Sequence, residues 1–272
     1  MKFKNKINLF YWSSKVFENK EQENYGDLLS VYLVEKISRK KVVFYNAPKK
    51  RKALFQKNHL MAIGSIMSYA TTRAFVWGTG IISKKDIFKN ANFLAVRGPK
   101  TRERVMELGY DCPEVYGDPA LLLPNYYKPH IQKTHSYGII PHYVDHKQVA
   151  RQYENVPEVK VINLLGDDIE EITKEILSCE YTLSSSLHGI IVSHAYGIPS
   201  VWVRFSEKLS GDDVKFEDYF LSVDLVPYRG KWIDKSMKVS EFFTLYNMRK
   251  TIPNNNKLEE VKKMLLEAFP EL

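Results

Sequence analysis

Residues 181–203 read YTLSSSLHGIIVSHAYGIPSVWV. Tyr181 to Ser184 has strand character, Leu187 to Tyr196 is helical, Gly197 and Pro199 end the helix, and Ser200 to Val203 is apolar strand again. A strand, a helix and a second strand so closely spaced lay the two strands parallel. Upstream the pattern repeats, with strands at Ser136 to Ile140 and Val159 to Asn163 and a helix at Asp168 to Leu177. The first half also alternates. Its strands are Ile7 to Trp12, Lys41 to Tyr45, Leu60 to Ile63, Ala74 to Trp77 and Asn92 to Val96. A helix runs from Asp27 to Ile37; another opens at Pro99 and stops at Gly109. Between the halves, Pro124 to Thr134 reads as a linker. The sequence therefore predicts an α/β chain of two Rossmann-like lobes, 1–127 and 128–272, the second ending in a helical tail that includes Lys257 to Ala268.

The 272 residues, 44% hydrophobic and 26% charged, exclude disorder, collagen and coiled coil. Net charge is +8, carried by residues 1–60, where 14 Lys/Arg face 5 Asp/Glu; the remainder holds 26 against 27. Arg39-Lys40-Lys41 and Lys49-Lys50-Arg51-Lys52 are the densest clusters. A positive lobe attracts phosphorylated small molecules, anionic lipid or nucleic acid, or is only a solvated basic face, and charge alone does not choose. Cys112 and Cys179 lie far apart, with no Cys-x-x-Cys and no sequon. No leader or membrane span is read. The expectation is a cytoplasmic protein with two buried cysteines and no metal site.

Parallel sheets bind ligands beyond the carboxyl ends of their strands. Five segments lie there: Asn24-Tyr25-Gly26-Asp27, Ile63-Gly64-Ser65, Trp77-Gly78-Thr79-Gly80, Val96-Arg97-Gly98-Pro99, and Ser184-Ser185-Ser186-Leu187-His188-Gly189. The last joins hydroxyls, a glycine and a histidine at a helix start, where free N–H groups favour a phosphate. His188 there is either a general acid or base or a locally satisfied histidine. Arg97 is either a clamp for carboxylate or phosphate, or one half of an interdomain ion pair. Arg204, after a strand of the second half, is a further anion-binding candidate. Gly78-Thr79-Gly80 lacks the third glycine of a dinucleotide fingerprint, and no phosphate-loop or Gly-x-Ser-x-Gly motif occurs. His142, Asp145 and His146 have metal-ligand spacing only on a helix; an acceptor-binding loop is the preferred reading.

In this order the segments, with Gly117-Asp118-Pro119-Ala120-Leu121 and Ala195-Tyr196-Gly197-Ile198-Pro199, resemble the polysaccharide pyruvyl transferase family. The resemblance implies transfer of pyruvate from phosphoenolpyruvate to two hydroxyls of a glycan sugar as a cyclic ketal. It also implies a GT-B-like pair of lobes with the site between them, and no cofactor beyond phosphoenolpyruvate as co-substrate. Carried over, His188 matches the active-site histidine and Arg97 an arginine on the donor. Ser186 stands where many members have arginine, leaving Arg204 or Lys215 to substitute. On this reading Ser185, Ser186, Leu187 and Gly189 join Arg204 and Lys215 on the donor. Asn24, Gly26, Asp27, Gly64, Ser65, Gly78, Thr79 and His142 face the acceptor.

The basic first lobe then suits docking on anionic inner-leaflet lipid, where a lipid-pyrophosphate-linked acceptor is presented. Competing readings are a nucleotide-sugar glycosyltransferase of the same shape and a catalytically silent glycan-binding relative. Nucleic acid ranks last as a partner.

Overall fold

The computed structural model describes residues 6–46, 57–234, 237–248 and 250–271, so the basic run at 49–52 lies outside the described residues. The first sheet holds β1 (Lys6–Phe10), β2 (Lys41–Phe44), β3 (His59–Met61), β4 (Ala74–Trp77) and β5 (Asn92–Ala95). The second holds β6 (His135–Ile140), β7 (Val159–Val161), β8 (Cys179–Ser184), β9 (Ser200–Arg204) and β10 (Lys231–Trp232). Their strand orders are β2-β1-β3-β4-β5 and β7-β6-β8-β9-β10, parallel throughout. Both sheets are thus wound 2-1-3-4-5. Each changes direction at one place, between β1 and β3 and between β6 and β8, and the loops leaving those pairs diverge to open a crevice. Buried runs such as β3 and β9 fit parallel strands covered on both faces.

The helices are α1 (Ser14–Glu18), α2 (Tyr25–Ser38), α3 (Pro99–Glu107), α4 (Leu123–Tyr126), α5 (Tyr143–Gln152), α6 (Ile169–Leu177), α7 (Leu187–Ala195), α8 (Val214–Ser222), α9 (Phe242–Asn247) and α10 (Asn255–Glu267). Sequence reading located α2, α3, α6, α7 and α10 and gave no place to α1 or α8. Helix α2 begins two residues before Asp27, because Asn24 Oδ1 accepts the Gly26 N–H at 2.9 Å and caps it.

The expected linker, Pro124 to Thr134, has no buried residue, but the segment just ahead of it is core. Pro119–Leu122 forms a 3-10 turn running into α4, and Leu121, Leu122 and Leu123 are wholly buried. This segment packs against both α2 and α7, and one apolar cluster runs through it from Leu9 in the first sheet to Ile140 in the second. Helix α10 does not extend the second sheet. Its Leu265 carbonyl accepts the Trp77 indole N–H at 2.7 Å, and Val261 and Leu265 close over Gly117, so the chain's last helix completes the first half.

A second seam fixes the start of α2. The Tyr25 N–H donates to the Leu164 carbonyl at 2.8 Å, the Gly166 N–H to Glu23 at 3.0 Å, and Tyr25 Oη lies 2.8 Å from Thr173 Oγ1. The buried Glu23 carboxylate accepts from Ser13 Oγ at 2.6 Å and the Ser14 N–H at 2.7 Å, tying down the loop ahead of α2.

Candidate active site

The predicted site residues that converge do so at the two places where strand order reverses. After β8 the chain makes a tight serine turn. Ser184 Oγ accepts the Ser186 N–H at 3.0 Å, and Ser185 Oγ accepts the His142 N–H at 2.9 Å, holding the loop after β6 against it. Both serines are fully buried, so their hydroxyls build the turn. Gly189 permits this closeness: a Cβ there would lie 2.4 Å from Ser184 Oγ. Ser186 precedes α7 without capping it through its side chain, leaving the positive end of α7 open for an anion.

His188, second residue of α7, crosses to the first half. Its ring lies over Gly26, where a Cβ would come within 2.0 Å of Nδ1. Its Nε2 is 3.8 Å from Asp118 Oδ2, and neither atom has a hydrogen-bond partner among the described residues. The histidine side chain is 12% exposed. Burial, with the charges of Arg97 and Lys215 nearby, pushes its pKa down to about 3, so the ring is neutral at pH 7.

Arg97 is wholly buried. Its Nε donates to Asp218 Oδ2 at 3.1 Å, Nη1 to Ser65 Oγ at 2.7 Å and Nη2 to the Ile81 carbonyl at 2.7 Å, with Gly80 flat against the guanidinium. Of the two sequence readings, the ion pair between the halves is the one formed. Asp218, on α8, also accepts the Thr101 N–H at 3.0 Å and its hydroxyl at 2.6 Å, capping α3, whose own N-cap, Gly98, has no side chain. Arg97 therefore acts on the crevice through its field and through Ser65.

Lys215 enters from the start of α8, half-buried and in no ion pair with a described residue. Burial and Arg97 push its pKa down to about 8. Asp27, in the first turn of α2, makes no side-chain hydrogen bond among the described residues; burial and the Glu18 and Glu23 charges raise its pKa to about 8. His142 precedes α5, and burial with Lys215 and Lys20 lowers its pKa to about 4. At neutral pH the crevice thus offers an ammonium, a protonated carboxyl and two neutral imidazoles.

Other predicted residues have structural places. Thr79 is fully buried and donates its hydroxyl to the Gly64 carbonyl at 2.6 Å, and Gly78, at φ +88°, packs on Pro119, so this pair clasps the β3 and β4 loops. Gly64, at φ +115°, borders Asp27. Arg204 is engaged elsewhere: Nη2 donates to Glu207 at 2.6 Å, Nη1 is 3.7 Å from Asp213, and the guanidinium lies over Trp232. Helix α5 does put His142, Asp145 and His146 on helical spacing, yet among the described residues no three His, Cys, Asp or Glu side chains are placed to hold a metal. Among the same residues no helix is long and apolar enough to cross a membrane.

Three contributors escaped the sequence reading of the site. Asp118 was visible only as part of a quoted motif; Asp218 lies in an unread helix. Lys20 sits in a polar loop, 2.5 Å from Glu18 and over the Tyr143 ring, where its charge reaches Asp27 and His142.

"Uncharacterized protein L143" of Acanthamoeba polyphaga mimivirus is 34% identical over 205 residues, covering 72% of this chain and 69% of the viral protein. The polysaccharide pyruvyl transferase model matches residues 24–207, from the cap of α2 to the loop after β9, a span containing Gly26, Arg97, Asp118 and His188. The chain belongs to the polysaccharide pyruvyl transferase family.

Proposed function

We propose that the protein transfers pyruvate from phosphoenolpyruvate onto two hydroxyls of a saccharide as a cyclic ketal, in a GT-B-like crevice between two lobes. The observation that carries this reading is Lys215, a half-buried cation in no ion pair among the described residues, whose charge acts on both His188 and Asp27. Such a set suits a small ligand bearing both phosphate and carboxylate. The phosphate sits at Leu187, His188 and Gly189, and Lys215, with the field of Arg97, neutralises the carboxylate.

Reaction requires a proton on the methylene carbon, addition of one hydroxyl to C2, and loss of phosphate as the second hydroxyl closes the ring. Two hydroxyl protons are released; one balances the proton taken by carbon and the other leaves with phosphate. Asp27, protonated below about pH 8, is placed to supply the first. The acceptor lies toward Asn24, Gly26, Asp27 and His142, and the basic first sixty residues dock on anionic lipid at the inner membrane face.

Titration calorimetry with phosphoenolpyruvate, UDP-sugars and inorganic phosphate tests the donor. The expected result is saturable phosphoenolpyruvate binding that weakens at least tenfold in Lys215→Met, about 1.4 kcal/mol. Binding of a UDP-sugar with silence toward phosphoenolpyruvate would move the protein to nucleotide-sugar chemistry.

A further inference from the structure

Asp118 and His188 reach one another from different halves of the chain. Asp118 ends the loop after α3, and its Oδ1 is committed to the Ala120 N–H at 3.0 Å. That bond leaves Oδ2 fixed, wholly buried and unpartnered. Across from it, His188 cannot retreat, because its ring is seated on Gly26 and its backbone is held in the first turn of α7. Two buried polar atoms without partners are each destabilising. Here they face each other at 3.8 Å, under about 1 Å beyond hydrogen-bond distance. Arg97, Asp218 and Tyr219 are the other titratable or charged groups around Asp118; burial pushes its pKa up to about 6 against the Ala120 N–H and Arg97, so it is ionised at pH 7. Around His188 they are Arg97 and Lys215.

A carboxylate only accepts hydrogen bonds, so the imidazole nitrogen facing it is the one bearing hydrogen. We propose that Asp118 is the positioning residue for His188, fixing the tautomer with hydrogen on Nε2 and leaving the Nδ1 lone pair, on the Gly26 side, as the base for the sugar hydroxyl. The role given to Nδ1 rests on the pyruvyl-transfer reading; the tautomer does not. In the step assigned to His188, the hydroxyl oxygen bonds to C2 of the protonated donor while its proton moves to Nδ1. The imidazolium formed is held by the Asp118 carboxylate, and the same proton leaves with the departing phosphate oxygen when the C2–O bond breaks. Gly26 is then required for a chemical reason as well as a steric one, since any side chain there would occupy the path to Nδ1.

The test is nitrogen-15 NMR of the full chain labelled at histidine, with the His188 ring identified by its loss in His188→Gln and, should that variant fail to fold, in His188→Asn. The ring in the wild type is expected to carry hydrogen on Nε2 and a bare Nδ1. Asp118→Asn should invert it: Oδ1 keeps the Ala120 N–H, so the amide nitrogen takes the Oδ2 place, donates to Nε2 and drives the hydrogen to Nδ1. With phosphoenolpyruvate and a competent acceptor, kcat should fall about 10²-fold or more. Donor affinity should stay equal or tighten, because a negative charge has gone. A wild-type ring with hydrogen on Nδ1 overturns the proposal, and needs no Asp118 variant to be seen. An unchanged tautomer in folded Asp118→Asn also overturns it. The spectrum reads the dyad without any donor present, so an inverted tautomer beside silence toward phosphoenolpyruvate would discard the donor assignment while upholding the pair.

Discussion

Asp218→Ala should unfold this protein more readily than any single change in the crevice. The wild-type carboxylate is fully buried and accepts three hydrogen bonds, from Arg97 Nε at 3.1 Å, the Thr101 N–H at 3.0 Å and Thr101 Oγ1 at 2.6 Å. Truncation leaves a wholly buried guanidinium without its ion-pair partner, which costs about 3–5 kcal/mol for a broken buried pair. An orphaned Thr101 N–H contributes a further loss of about 1–3 kcal/mol when its desolvation is uncompensated. The two overlap, so a loss of about 4 kcal/mol is the working figure, a large share of a typical stability of about 5–15 kcal/mol. Urea unfolding followed by tryptophan fluorescence measures it, and Arg97→Met should lose less, since the Asp218 carboxylate it strands keeps its two hydrogen bonds from Thr101. The double variant Arg97→Met with Asp218→Leu should recover part of the loss. A change below about 1 kcal/mol in Asp218→Ala would refute the reasoning, because a pair that can be cut so cheaply is not the joint between the halves. The same argument governs how Arg97 is probed: weaker donor binding in Arg97→Ala reports a loosened joint as readily as a lost contact. Lys215, which holds no ion pair among the described residues, is the cleaner variant.

Donor affinity should be flat up to about pH 8 and then fall about tenfold per pH unit, as Lys215 loses its proton and Asp27 becomes anionic; calorimetry from pH 6.5 to 9 reads this, and Lys215→Met should show a shallower fall. Gly26→Ala is expected to cost about 1–3 kcal/mol of stability, because the new Cβ would lie 2.0 Å from a ring that has no room to retreat, and to cut turnover about 10²-fold by displacing that ring. Equal turnover in that variant would mean that the position of His188 is not catalytic. Removing the chain after Asn254 strips Leu258, Val261 and Leu265 from the core and the acceptor from the Trp77 indole, at about 1.5–3 kcal/mol for each apolar side chain. The shortened chain should be largely unfolded by circular dichroism, and a native-like melt would show that α10 is an appendage.

Much of the fold was legible because parallel strands buried on both faces leave dense apolar runs, and glycine and proline punctuate the helices between them. Ala74 to Trp77 and Pro99 to Leu108 were read within a residue of β4 and α3. Strand order left no such trace. It depends on which crossover passes over which face, so the converging strand ends were visible as five separate segments and not as two crevices. Helix α8, Val214 to Ser222, was not read from the sequence at all. The triple leucine at 121–123 looked like the edge of a linker and is the point where α2 and α7 meet.

The site divides along the same line. Residues set by local backbone chemistry, such as Asn24 capping α2 and the serine turn ahead of His188, can be read from a few neighbours in the chain. Residues whose role is a charge brought from afar cannot. Asp218 reaches Arg97 across 121 positions, and Asp118 reaches His188 from the other half of the molecule. Both acids come from the opposite half to the group they serve. The joint between the halves and the electrostatics of the crevice are therefore one structure: Asp218 neutralises Arg97, and that leaves Lys215, in no ion pair among the described residues, to meet an incoming anion. Altering the joint alters the field at His188, so stability and donor binding should move together in variants of Arg97 and Asp218 and separately in variants of Lys215.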